Sequence, residues 1–469
     1  MTDIETGRLD PYRRTLNRVR RRQDSHNSAT LHFGRDAKSD VVVTLAEEAK
    51  ACVIRLQIVN RERSAQDQSS AIWHDLAAAG ITVRTVYLVA HLGVLDADLR
   101  AWIAEDSSNG VDARVANVAW LSDDLAATAV SDCMLVDDVT LVFSPPIAAS
   151  DGFGLWTLSV APEHVAAGRE MLEQLWDEAR ALVDLPDSLD LEEPLAQSAQ
   201  LIGDVASVLC VGDHVDPTGC TWYHGVWQYL RLMNLVSTPT WHHEFYSREI
   251  TNAIDRGARS CLVSGTADYS VMAYLMSTLG DKAPDTQITV VDRCSTPLFA
   301  CQWYAKRVGL MIATASEDIR VHAANHVGQY DLIVTDAFLT RFAGKECEAI
   351  LEDWQKLLSD DGRVVTTVRV HAGPSRGLTP DEAVANFRER AAARWRRWEP
   401  FVRLDRQRVS TMAEHYARRM ISNPIGSKED IRDLLAARFI IEFSELADVP
   451  GELHPTQYLR VVLRKKESK

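Results

Sequence analysis

From Ala258 onward the chain alternates short apolar runs with helical stretches, and two of the runs end on an acidic residue. Ser260–Ser264 (SCLVS), Ile288–Asp292 (ITVVD) and Tyr330–Asp336 (YDLIVTD) read as buried strands, with helical patterns over Tyr269–Leu279, Thr296–Val308 and Cys347–Leu358. Few folds accept this order. A parallel, doubly wound sheet with helices on both faces buries every strand. Ile319–His322 is expected as a short strand and Arg363–Val370 (RVVTTVRV) as the next long one. Three helical stretches between Asp381 and Arg438 precede two last strands, Arg438–Glu442 and Tyr458–Arg464.

In such a sheet, ligands bind beyond the carboxyl ends of the central strands. The first strand runs into Gly265-Thr266-Ala267-Asp268-Tyr269, where small residues let the backbone approach a ligand and the next helix offers free N–H groups. Asp292 ends the second strand, about 27 residues after Gly265, and a carboxylate there suits two ribose hydroxyls. Asp336-Ala337-Phe338 ends the fourth. The loop has one glycine and an acid, with neither G-x-G-x-x-G nor a P-loop. An acidic loop opposes a pyrophosphate and tolerates the ammonium and sulfonium of S-adenosylmethionine.

SCLVSGTADYS, ITVVD, SEDI, YDLIVTDAF and the run Leu357, Leu358, Asp361, Gly362, Arg363, Val364, Val365 together resemble the class I S-adenosylmethionine-dependent methyltransferases, over about Ala258 to Lys469. The resemblance implies an α/β, Rossmann-like class I methyltransferase domain. It implies that Gly265, Thr266, Ala267 and Asp268, with Tyr269, hold the methionine part and that Asp292, flanked by Arg293, holds the ribose. Asp318 and Ile319 are implied at the adenine, and Asp336 and Ala337 at the crevice. The first motif departs from the family: Val263 stands at its acidic position, and Ala267 and Tyr269 replace later glycines.

Residues 195–257 form a helical, aromatic segment ahead of that domain (258–469), in the place of a substrate lid. Trp222, Tyr223, Trp241, His242 and Phe338 are the candidate substrate wall, since aromatic faces bind planar acceptors and shield a sulfonium. Trp227 and Leu230 are expected in the core. For a general base His243 comes first, then Tyr246, His224 and His371. Methyl transfer is an in-line displacement that positioning alone can drive. The expected function is N-, O- or C-methylation of a small molecule, in specialised metabolism. Two other readings stand beside it: another reaction of the sulfonium, such as intramolecular displacement, and a non-enzymatic sensor of S-adenosylmethionine or a metabolite.

Residues 36–185 read as a separate α/β domain, with strands Cys52–Val59, Ile81–Ala90 and Val111–Val118, a hairpin about Asp137-Asp138 and a helix over Pro162–Leu185. The stretch CVIRLQIVNRERS…ITVRTVYLV…SDCMLVDDVTLVF weakly resembles phospholipase D-like domains, but the His-x-Lys…Asp signature of that family does not occur. Residues 1–35 read as a disordered basic tail. A net charge of −15 argues against a nucleic-acid partner. No apolar run reaches membrane length and no signal sequence opens the chain, so a cytoplasmic protein is expected. A homodimer is the default for such chains. None of the eight cysteines forms a C-x-x-C pair, and the spacing of GDHVD (212–216), Cys220 and His224 matches no regular ligand pattern, so no metal is expected.

Overall fold

The computed structural model describes residues 30–33, 38–59, 70–95, 97–129, 131–144, 155–185, 193–210, 219–236, 238–342, 344–370, 380–420, 425–450 and 456–466. The chain before Thr30, the GDHVD run and His371 lie outside the described residues. The chain divides into two compact units: 1–194 with 394–406, and 195–393 with 407–469. The aromatic segment 195–257 therefore clusters with the sheet that follows it, and a short piece of the C-terminal half is counted with the first unit.

The first unit contains β1 (Thr30–Phe33), α1 (Lys38–Glu48), β2 (Cys52–Val59), α2 (Ser70–Ala78), β3 (Thr82–Val89), α3 (Ala97–Ser108), β4 (Asp112–Asn117), α4 (Asp123–Thr128), β5 (Cys133–Val136), β6 (Thr140–Phe143), β7 (Trp156–Ser159), α5 (Pro162–Glu178) and β8 (Arg180–Ala181). Its sheet runs β1-β7-β6-β5-β2-β3-β4-β8, with β2, β3 and β4 mutually parallel. Asp137 and Asp138 both take positive φ, 50° and 58°, and turn the expected hairpin between β5 and β6. The Asp137 carboxylate also accepts the backbone N–H groups of Lys50, Ala51 and Cys52, tying the turn to the start of β2. The helix expected to reach Leu185 stops at Glu178, and β8 follows it onto the sheet edge beside β4.

The second unit opens with three helices, α6 (Leu195–Leu209), α7 (Thr221–Leu232) and α8 (His243–Asp255). The alternating part follows: β9 (Ser260–Ser264), α9 (Ser270–Leu279), β10 (Gln287–Asp292), α10 (Ser295–Arg307), β11 (Ala313–Ser316), α11 (Ile319–Asn325), β12 (Tyr330–Asp336), α12 (Lys345–Leu357) and β13 (Leu358–Val370). Helices α13 (Pro380–Trp395), α14 (Arg406–Arg419) and α15 (Lys428–Arg438) lead to β14 (Phe439–Val449) and β15 (Thr456–Lys465).

This sheet runs β11-β10-β9-β12-β13-β15-β14. The first five strands are parallel, and β15 runs antiparallel between β13 and β14. It is a Rossmann-like α/β sheet whose order reverses between β9 and β12, which opens a crevice at their carboxyl ends. Cys261, Leu262 and Val263 of β9 and Leu332, Ile333 and Val334 of β12 are fully buried, as central strands covered on both faces must be.

One expected strand is corrected. Ile319–His322 is the first turn of α11, because the Asp318 carboxylate accepts the Arg320 N–H at 3.0 Å and caps a helix there. The strand itself is the weakly apolar ATAS just before it, at the sheet edge, where packing demands little hydrophobicity.

Candidate cofactor site

The site begins at the end of β9. Gly265 has φ +69°, and a Cβ on it would lie 2.2 Å from the Phe338 ring. Both the left-handed backbone and the close ring require glycine here. Its N–H donates to the Val291 carbonyl at 2.8 Å, holding the loop against β10. The Thr266 N–H then donates to Asp292 Oδ2 at 3.0 Å, and the Cys294 N–H donates to Asp292 Oδ1 at 2.8 Å. Burial raises the Asp292 carboxyl above its ordinary value, against the pull of these N–H groups and of His224. Each carboxylate oxygen keeps acceptor capacity beyond its one N–H, enough for two hydroxyl donors.

A cavity of about 320 Å³ opens in front of this pair. Of the expected cofactor residues, Gly265, Thr266, Ala267, Asp292, Asp336 and Ala337 line it. The size lies within the range of small-molecule sites. The set fits an adenosyl group with an amino acid end: a glycine turn, the N-terminus of α9 and a half-buried carboxylate at one crevice.

Other expected cofactor residues are placed elsewhere. Asp268 is fully buried: it accepts Arg231 Nη1 at 2.6 Å and the Ser270 N–H at 2.9 Å, so its carboxylate serves a buried ion pair. Tyr269 is also buried, stacked on Tyr304 and hydrogen-bonded to Ser198 at 2.9 Å. Asp318 caps α11 and forms a two-pronged pair with Arg320, at 2.8 and 2.7 Å, which holds its carboxyl at about 2. Ile319 packs in the core, and exposed Arg293 lies 3.9 Å from Asp318. Asp318 and Ile319 nevertheless sit one strand over from Asp292, whose carbonyl accepts the Glu317 N–H at 3.1 Å.

The proposed bases fare differently. His243 is exposed, with Nδ1 3.2 Å from the Tyr274 hydroxyl, and does not line the cavity. Tyr246 is buried and donates to the Thr335 carbonyl at 2.9 Å and to Asp336 Oδ1 at 2.8 Å. Burial, and then the Asp336 charge, push its hydroxyl well above the ordinary value, and its hydrogen bonds tie it to β12. His224 alone of the three lines the cavity. On the substrate wall Trp222, Tyr223 and Phe338 line it, whereas Trp241, which bonds Asn234, and His242, buried against Arg460, are not among its lining residues.

Sequence reading missed Arg369, Tyr458 and Met420, and Trp227, buried as expected, also lines the cavity. Arg369 carried a signal, since it lies at the carboxyl end of a strand. Tyr458 carried none: it reaches the same rim because β15 is antiparallel and pairs it with Arg369. Arg341 joins them, donating to the Tyr223 hydroxyl at 2.6 Å with its guanidinium 4.6 Å from that ring.

Beside Asp292, three thiols and an imidazole meet. Cys210 Sγ lies 3.4 Å from His224 Nδ1 and 3.7 Å from Cys294 Sγ, and Cys220 Sγ lies 3.5 Å from Cys294 Sγ. Sequence spacing gave no sign of this group: Cys294 is 84 residues from Cys210 in sequence, and the packing of α6 and α7 by the β10–α10 loop joins them. Hydrogen bonds from the Cys210 and Cys220 thiols hold the Cys294 thiol far below its ordinary value. Burial opposes a charge on His224, but the Cys210 and Cys294 sulfurs outweigh it and raise the imidazole to about 9.

No family model and no curated protein matches the sequence. Among solved structures, 1,6-didemethyltoxoflavin-N1-methyltransferase of Burkholderia thailandensis aligns at 18% identity over 62% of this chain and 96% of its own, with a TM-score of 0.33. N-methyltransferase NodS of Bradyrhizobium japonicum aligns at 15% over 52% and 99%, TM-score 0.32. Magnesium protoporphyrin IX methyltransferase of Synechocystis aligns at 11% over 58% and 98%, TM-score 0.32. All three were crystallised with S-adenosylhomocysteine. Likeness at this level carries no argument about function. The phospholipase D resemblance of the N-terminal unit finds no support in these comparisons. Among the described residues no helix is long and apolar enough to cross a membrane.

Proposed function

We propose that the second unit binds S-adenosylmethionine and transfers its methyl group to a small molecule. The observation that carries this reading is the half-buried Asp292 carboxylate, fixed by the N–H groups of Thr266 and Cys294 at the switch point of the sheet and open to the cavity beside the Gly265 turn. In it, Asp292 would take the ribose hydroxyls, and Thr266, Ala267 and the N-terminus of α9 the amino acid end. The bound cofactor would supply an electrophilic methyl group on a sulfonium.

The chain's own residues would bind and orient the acceptor. Trp222, Tyr223, Trp227, Phe338 and Tyr458 give the cavity aromatic walls, and Arg341 and Arg369 give it two cations. Such walls suit a planar acceptor that carries negative charge. With His243 exposed and Tyr246 donating to Asp336, proximity and alignment are the main source of rate.

The test is calorimetric titration with S-adenosylmethionine, followed by mass analysis of a small-molecule pool incubated with protein and cofactor. A product gaining one methyl group, with matching S-adenosylhomocysteine, is expected. Binding with no turnover in any pool would replace the enzyme with a sensor. Conversion of the cofactor without a methylated partner would favour intramolecular displacement.

A further inference from the structure

The four side chains beside Asp292 have the shape of a metal site. In a tetrahedral zinc centre with Zn–S near 2.3 Å and Zn–N near 2.0–2.1 Å, donor atoms stand about 3.5–3.8 Å apart. The separations here are 3.4, 3.5 and 3.7 Å, and the four donor atoms all lie within 4.8 Å of one another. Cys210 and His224 are buried, and Cys220 and Cys294 half-buried. A disulfide needs sulfurs about 2.05 Å apart, and pairing any two would strand the third thiol and the imidazole. All eight cysteines are free.

We propose that Cys210, Cys220, His224 and Cys294 bind one zinc ion, and that this ion fixes the aromatic helices to the cofactor loop. Thiolate and imidazole donors in a tetrahedron select zinc among common divalent cations. Three S–Zn bonds and one N–Zn bond form as the site gives up three protons to solvent, one of them from His224 where Cys294 already stands as a thiolate beside it, so that three thiolates and the Nδ1 lone pair of a neutral ring hold the ion. One zinc and three thiolates leave a net charge of −1. Protein fills all four positions, so the ion holds structure and performs no chemistry.

Local geometry favours the set. Cys220 sits at the N-cap of α7 and His224 one turn on, so both face the same way from the helix start. Cys210 follows the last residue of α6, its N–H still bonded to the Ala206 carbonyl at 3.1 Å. Cys294 comes from the loop after β10, and its N–H already holds Asp292. A metal bond to Cys294 therefore fixes the ribose carboxylate through one backbone group, making Cys294 a positioning residue for the cofactor.

The full chain, expressed with zinc and purified under reducing conditions, is assayed by elemental mass spectrometry. About one zinc per chain is expected, well below that in Cys220→Ser and Cys294→Ser, and unchanged in Cys52→Ser. Because a ligand variant can fail to fold, the wild-type chain is also stripped and refilled with cobalt, which should give thiolate charge-transfer bands and a tetrahedral spectrum. Asp292→Asn should keep its zinc while losing cofactor affinity, and Cys294→Ser should lose both. Failure of the cofactor reading thus leaves the metal result standing. A wild-type chain that binds neither zinc nor cobalt, or a non-reducing digest showing Cys220 joined to Cys294, overturns the proposal.

Discussion

The backbone N–H of Thr266 donates to Asp292 Oδ2 at 3.0 Å, so the turn after the first strand of the second sheet and the acidic end of the next strand form one unit. Any ligand held by the turn is thereby placed against the carboxylate. Asp292→Asn keeps the shape and removes the charge. Hydrogen bonds to charged groups contribute about 1.5–3 kcal/mol each, so affinity for S-adenosylmethionine should fall at least about tenfold, and the melting temperature should fall too, because Asn offers one acceptor oxygen to the two N–H groups that Asp292 holds. Equal dissociation constants by titration calorimetry would remove Asp292 from the site.

Gly265→Ala should destabilise the second unit by roughly 1–3 kcal/mol, because a left-handed alanine is strained and its Cβ meets the Phe338 ring. Adding Phe338→Leu should restore only the part due to contact. Urea unfolding of the single and double variants separates the two, and full recovery would show that φ is not the constraint.

Arg231 and Asp268 form a buried pair, with exposures of 1% and 0%. Arg231→Met strands the carboxylate and should cost roughly 3–5 kcal/mol. Arg231→Met combined with Asp268→Leu should cost less than the two single changes summed, a coupling readable from denaturant midpoints. An additive result would mean the pair is not formed.

His242 accepts a hydrogen bond from Arg460 Nε at 3.1 Å and is fully buried. It faces Asp336 from β12, Tyr246 on α8, which begins at the next residue, and Arg460 and Tyr458 from β15. Burial, opposed by the Asp336 charge and aided by Arg460, lowers its pKa from 6.5 to about 4. The folded state prefers the neutral ring. Its contribution is complete above about pH 6.5 and is lost as pH falls towards 4. The size is on the order of 3 kcal/mol. Melting of wild type should fall across that window, and His242→Gln should flatten the fall. Parallel curves would refute it.

His243→Ala should leave turnover within about twofold, since an exposed residue outside the cavity is near neutral to change. A drop of a hundredfold in kcat would return His243 to the role of base.

The strands and the Gly265 turn were legible because their signals are local. Unbroken apolar runs such as ITVVD and YDLIVTD mark strands covered on both faces, and a glycine or an acid at a strand end needs no distant partner to be read. The same reasoning mistook Ile319–His322 for a strand, because Asp318 caps a helix there and ATAS has little apolar signal.

The occupants of the site were decided by the tertiary structure. Asp268 follows the turn in sequence, but Arg231 draws it into the core, and Tyr458 reaches the rim only through the antiparallel register that sets it against Arg369. Cys210 and Cys294 stand 84 residues apart in the chain and 3.7 Å apart in space. The sequence by itself determined most of the strands and helices and where the Gly265 turn falls, because those follow from neighbouring residues. Which side chains share a cavity depends on contacts between distant segments, and spacing along a chain holds no measure of that distance.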